Sequence, residues 1–101
     1  MLDIYRFTSF FNREYKYTIG EKMKDEMFDF FMLMYRVNGL DEKTSVLKEA
    51  REKVEKIRIM VRISKDLRLL NINKFVLLNE KIQEISKQLC GWQKSSEKRE
   101  Q

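Results

Sequence analysis

Histidine and proline are absent from this 101-residue chain, cysteine occurs once, and glycine three times. Each absence closes a class of function. Without histidine there is no histidine-based triad and no imidazole ligand for a metal. One thiol, Cys90, allows no internal disulfide and no thiolate zinc cage. Gly20, Gly39 and Gly91 stand isolated, so no glycine-rich phosphate loop exists. The longest apolar run, Phe30 to Tyr35, is far shorter than a bilayer span. Met1 to Phe11 is too short and too mixed to read as a signal peptide. The expectation is a soluble, cytoplasmic protein with no membrane partner and no cofactor.

What is present favours helices. Proline and glycine both break helices, and their scarcity leaves helices joined by short turns. The length and a 43% hydrophobic content suit one domain with one core. The net charge of +5 is uneven. Residues 1–40 carry six basic and six acidic side chains, residues 41–70 nine and six, and residues 71–101 six and four. The second half therefore holds the field that attracts a polyanion.

Four helical segments can be read. The first covers Leu2 to Phe11, with Ile4, Tyr5, Phe7, Phe10 and Phe11 as apolar contacts. It is short for a bundle helix. Thr18-Ile-Gly-Glu21 has the spacing of a capping box and opens a second helix that runs to Val37. That helix is apolar almost all round between Met27 and Tyr35, and Asn38-Gly39 predicts a left-handed stop. A third helix spans Ser45 to Leu70, with Thr44 or Ser45 as its cap. Asn71 or Asn73 caps a fourth, whose seam is Phe75, Leu78, Ile82, Ile85, Leu89 and Trp92. Short connections make neighbouring helices antiparallel. The expected fold is all-α: an antiparallel up-down four-helix bundle over residues 1–94, followed by a polar, frayed tail over 95–101.

The third helix carries the functional signal. At 100° per residue, Arg51, Arg58, Arg62 and Lys65 fall on one narrow ridge. Ala50, Val54, Ile57 and Val61 lie to one side of it, and Ile59, Met60, Ile63 and Leu67 to the other. A surface helix in a monomer needs only one apolar stripe. The second stripe, together with a Phe28, Met32 and Leu33 face on the second helix, predicts an oligomer interface. The ridge between the stripes predicts an anion-binding edge. Glu49, Glu52 and Glu55 are interleaved with Lys48, Lys53 and Lys56, which reads as a solvated, ion-paired face and not as a metal or acid–base cluster. Cys90 reads as a small packing residue. Nothing here argues for an enzyme.

Three segments carry a family resemblance. Ser45 to Leu70 is similar to the third helix of the accessory variability determinant (Avd) family of diversity-generating retroelements. Ile85 to Lys94, with its Gly91-Trp92 pair, resembles the end of that family's fourth helix. Arg13 to Glu21 resembles the linker and start of its second helix. The resemblance implies a homopentameric barrel of four-helix bundles without catalytic activity. It also implies binding of a reverse transcriptase and its template RNA, in support of the mutagenic cDNA synthesis of retrohoming. By position, Arg58, Arg62, Lys65 and Arg68 would belong to the family's basic helix, with Arg68 about 100° off the ridge and included by resemblance alone. The chain departs from the family in its short first helix. A related branch, proteins encoded within ribosomal RNA intervening sequences, offers the alternative of an RNA-binding or interaction bundle with no polymerase partner.

Overall fold

Asn12 starts the longest-range consequence of local sequence in this chain. Its side-chain Oδ1 accepts from the Tyr15 N–H at 3.3 Å, which caps a helix beginning at Arg13. In the computed structural model, which describes residues 3–100, one rod then runs without a break to Val37. It consists of Arg13–Tyr15, one π-helical turn at Lys16–Gly20, and Glu21–Val37. We call this rod α2. It follows a short α1 (Asp3–Thr8) and precedes α3 (Thr44–Asp66) and α4 (Ile72–Glu100). The described residues are all-helical in their regular structure and form a helical bundle.

Cross-contacts fix the directions. Tyr5 OH donates to the Lys24 carbonyl, while Thr8 lies beside Gly20. Ser64 Oγ lies 3.5 Å from Met23 Sδ, and Lys53 reaches Glu26 and Asp29. Arg51 reaches Gln93, and Lys65 lies over Phe75. Each successive pair is therefore antiparallel. The core runs between them through Ile4, Phe7 and Phe11 of the first segment, Met23, Met27, Phe30, Leu33 and Val37 of α2, Leu47, Ala50, Val54, Ile57 and Val61 of α3, and Leu78, Ile82 and Leu89 of α4. Phe75, Ile85 and Trp92 of the expected seam are half-buried against this core.

Gly20 is needed where α1 closes on the rod. A Cβ there would stand 3.3 Å from the Tyr15 carbonyl oxygen and 3.5 Å from the Phe11 ring. The six residues of α1 span about 9 Å, against about 26 Å for the 17-residue main part of α2. Among the described residues the bundle thus has four helices at one end and three at the other. At the three-helix end Phe30, Phe31 and Met34 face Ile85, Leu89 and Trp92 across an open groove of about 260 Å³.

Several sequence expectations are corrected. Thr18 is not a cap: its hydroxyl donates to the Glu14 and Tyr15 carbonyls from inside the rod. Asn38 is right-handed at φ −63°, and no described glycine has positive φ, so the stop after Val37 is a right-handed turn in which Gly39 N–H donates to the Arg36 carbonyl. The left-handed residue is Arg68 at φ 61°, in the turn after α3. There the Leu69 N–H donates to the Ser64 carbonyl and the Arg68 N–H to the Lys65 carbonyl, each at 2.9 Å, a Schellman closure. Helix α3 consequently ends at Asp66 and not at Leu70, and it opens at Thr44 with Lys43 as an N-cap that makes no side-chain cap bond. Asn71 does cap α4, its Oδ1 accepting from Lys74 N–H at 2.8 Å. That helix continues past Lys94 to Glu100 and buries Ser96, where a frayed tail was expected. Phe10, expected as a core contact, is 71% exposed, and α1 stops at Thr8. Leu2 lies outside the described residues.

The capping geometry has a measurable consequence. Asn12→Ala should lower unfolding free energy by about 1 kcal/mol, the usual worth of an N-cap. Thr18→Ala should cost clearly less, because Thr18 satisfies no helix-end N–H. Urea denaturation followed by circular dichroism ranks the two, and the reverse order would restore Thr18 as the cap.

Candidate nucleic-acid and assembly surfaces

Helix α3 is held by one face. Ala50, Val54, Ile57, Val61 and Ser64 are almost wholly buried, and Ser64 Oγ donates back to the Met60 carbonyl at 2.8 Å. With that face fixed, Arg51, Arg58, Arg62 and Lys65 emerge along the seam with α4 over about 21 Å of helix. The facing strip of α4 is uncharged. Asn79, Ser86 and Gln93 recur at seven-residue intervals and are all half-buried, with Cys90 beside them. This neutral strip is what the sequence reading missed. Its signal was the heptad repeat of small polar residues on an otherwise charged helix.

The four ridge cations differ in how they are held. Arg51 Nη1 donates to Gln93 Oε1 at 2.8 Å, and Gln93 Nε2 donates in turn to Glu97 Oε1 at 3.1 Å. Arg51 therefore ties α3 to α4. Arg58 Nη2 meets Glu55 Oε1 at 3.6 Å, a one-turn pair open to water on both sides. Such pairs contribute roughly 0–1 kcal/mol and yield readily to a stronger anion. Arg58 Nε is buried with no hydrogen-bond acceptor among the described residues. An orphan charged donor of that kind is relieved by an added acceptor oxygen. Arg62 is exposed and makes no ion pair among the described residues. Lys65 Nζ sits 4.8 Å from the Phe75 ring centroid, which positions the ammonium without neutralising it. Arg68 stands apart from the ridge, exposed in the turn that follows.

Six of the seven residues expected at an oligomer interface divide into two patches. Ile59, Ile63 and Leu67 are exposed on α3, and Met60 is half-buried beside them. Met60, Ile63 and Leu67 line a groove of about 560 Å³ with Tyr17 and Ile19 of the π-helical turn. Phe28 and Met32 are exposed on α2, together with Phe31 and Tyr35. Leu33, grouped with Phe28 and Met32 from sequence, is instead core. Between the patches Lys53 Nζ meets Glu26 Oε2 at 3.0 Å and Asp29 Oδ2 at 3.5 Å. The close contact with Glu26 is the chief reason that the lysine's pKa stands above its ordinary value; partial burial opposes it, and the Glu26 charge and Asp29 add to it. Tyr5 is also pushed up, first by burial and then by the Asp25 charge.

No group of acidic or cysteine side chains among the described residues is placed to hold a metal ion, and no helix among them is long and apolar enough to cross a membrane. A family model described as bAvd-like matches residues 1–96. No curated protein matches the chain, and no solved structure does.

Both raised pKa values have the same sign in stability. The folded state holds these protons more tightly than the unfolded chain, so their contribution is complete near neutrality and is lost as pH rises through the folded values. Thermal midpoints should be level around pH 7–8 and fall above about pH 10. The fall should be shallower in Lys53→Met and shallower again with Tyr5→Phe added. Parallel pH curves for all three proteins would dismiss both groups as its cause.

Proposed function

Because the chain belongs to the bAvd-like family, we propose that it is a non-catalytic accessory protein of a diversity-generating retroelement. In this role it brings reverse transcriptase and template RNA together on a basic surface and supports mutagenic cDNA synthesis. The observation that carries the reading is the α3 ridge. Among the described residues Arg58 has an unmet buried donor, Arg62 makes no ion pair, and Lys65 is aimed by an aromatic ring. All three lie beside a strip of α4 without charge. Their mechanism is electrostatic: guanidinium and ammonium groups neutralise phosphates and release counterions, with little reading of base sequence. Arg51 acts mainly by holding α3 against α4, and Arg68 extends the basic surface around the turn.

Assembly accompanies this reading. Two unlike apolar patches suit a head-to-tail contact, in which the Ile59, Ile63 and Leu67 side of one copy meets the Phe28 and Met32 side of the next. Repeated with closure, such a contact makes a ring, as a pentamer requires. The ridge is on neither patch and stays open to solvent in that arrangement.

Filter binding to a structured RNA tests the first part. Affinity should fall steeply between about 50 and 200 mM salt. Arg62→Ala should weaken binding evenly across sequences and reduce the log–log salt slope by roughly one. A flat salt response would refute the ridge as a phosphate site. For assembly, light scattering should show an oligomer that Ile63→Asp converts to a folded monomer, whereas a monomeric parent protein would rule the ring out.

A further inference from the structure

The end of the bundle that carries both the 9–12 and the 67–71 connections gathers cations onto aromatic rings. Lys74 Nζ lies 5.3 Å from the Phe7 ring centroid and 5.0 Å from that of Phe10. On the next residue of α4, Phe75 carries Lys65 at 4.8 Å. Arg68 stands exposed in the turn between the two lysines, in the left-handed backbone region that disfavours a non-glycine residue. Residues 62–76 hold four cations and one acid, Asp66. Phe7 is buried at the base of this cluster, but Phe10 is 71% exposed. Its ring has an ammonium on one side and contributes little buried area to the fold.

We propose that this end is a stacking platform for single-stranded nucleic acid, with a base laid on the open surface of Phe10 and Lys74 and Arg68 meeting the adjoining phosphates. The inference rests on the ridge being a polyanion site and adds the class of ligand. Every base has a π-face, so stacking on an aromatic side chain is indifferent to sequence. In a duplex those faces are covered by neighbouring base pairs, and only an unpaired strand or an end offers one. The ammonium of Lys74, seated against the two rings, can bind a phosphate. Lys65 belongs to both regions. A strand that follows Arg58, Arg62 and Lys65 therefore reaches the platform without crossing an uncharged gap.

The test uses the full chain and one labelled mixed-sequence RNA oligonucleotide, single-stranded or annealed to its complement. Phe10→Ala should lower single-strand affinity about five-fold or more, the low end for one stacked base, and leave duplex affinity and the salt slope unchanged. Phe10→Trp should restore binding, and its new indole emission should be quenched by the single strand beyond any change in the parent, whose one tryptophan is Trp92. Circular dichroism checks that both variants keep the helical fold expected of an exposed site. If Phe10→Ala binds the single strand as the parent does, while Arg62→Ala weakens it, the platform is refuted and the ridge stands. Equal losses on single strand and duplex also refute stacking. A parent that binds neither oligonucleotide overturns the platform and the ridge together.

Discussion

The rotation of α3 about its own axis is the constraint on which the rest depends. Ala50, Val54, Ile57 and Val61 are essentially free of solvent, and Ala50 is small enough to let the neighbouring helix approach closely. A turn of one residue, 100°, would drive these side chains toward water and draw the ridge toward the core. Burying one unpaired guanidinium costs several kcal/mol, a large part of the stability of a domain this size. The apolar stripe therefore has two effects. It builds the core, and it aims Arg58, Arg62 and Lys65 outward along the α4 seam.

The short α1 divides the molecule lengthwise. Where it is present, Ile4, Phe7 and Phe11 close a four-sided core, and Gly20 with the π-helical turn makes room for them. Beyond Lys24 no described residue of α1 covers the fourth side, and Phe31 and Trp92 line a groove. The closed end is also where both connections lie, and where lysines rest on Phe7, Phe10 and Phe75. Structural closure and positive charge thus coincide at one end.

Features that repeat along a helix were legible in the sequence. The seam from Phe75 to Trp92, the buried stripe of α3 and the ridge beside it all follow from spacing alone, because burial samples the same side every three or four residues. Helix ends were less legible. Thr18-x-x-Glu21 satisfies the capping pattern, yet Asn12 started the helix earlier, and the extra residue was absorbed as a π turn. The left-handed position fell on Arg68, in the turn after α3, and not on Gly39, whose turn after α2 is right-handed. Phe10 looked like core by type, but α1 ends two residues before it. The Phe10–Lys74 contact joins residues 64 positions apart, and no local pattern encodes it. Only a structure brings that part of the candidate site together.

The protein sorts its cations by what they rest on. Lys53, between the two apolar patches, is matched by Glu26 and Asp29, so that side presents little net field. A neutralised lysine suits a surface meant to approach another protein, where an unpaired charge would be costly to desolvate. On the α3–α4 seam Arg51 is held by the Gln93 amide and Lys65 by the Phe75 ring, and at the closed end Lys74 rests on Phe7 and Phe10. An aromatic face restricts where an ammonium sits without cancelling its charge, at roughly 0.5–1 kcal/mol in exposed sites. Lys65 and Lys74 are therefore ordered in advance yet still able to take a phosphate. Glu55 at 3.6 Å from Arg58 is the weak exception, exposed and easily displaced. A surface chosen only for solubility has no reason to separate its cations this way, whereas one that must meet protein on one side and polyanion on another does.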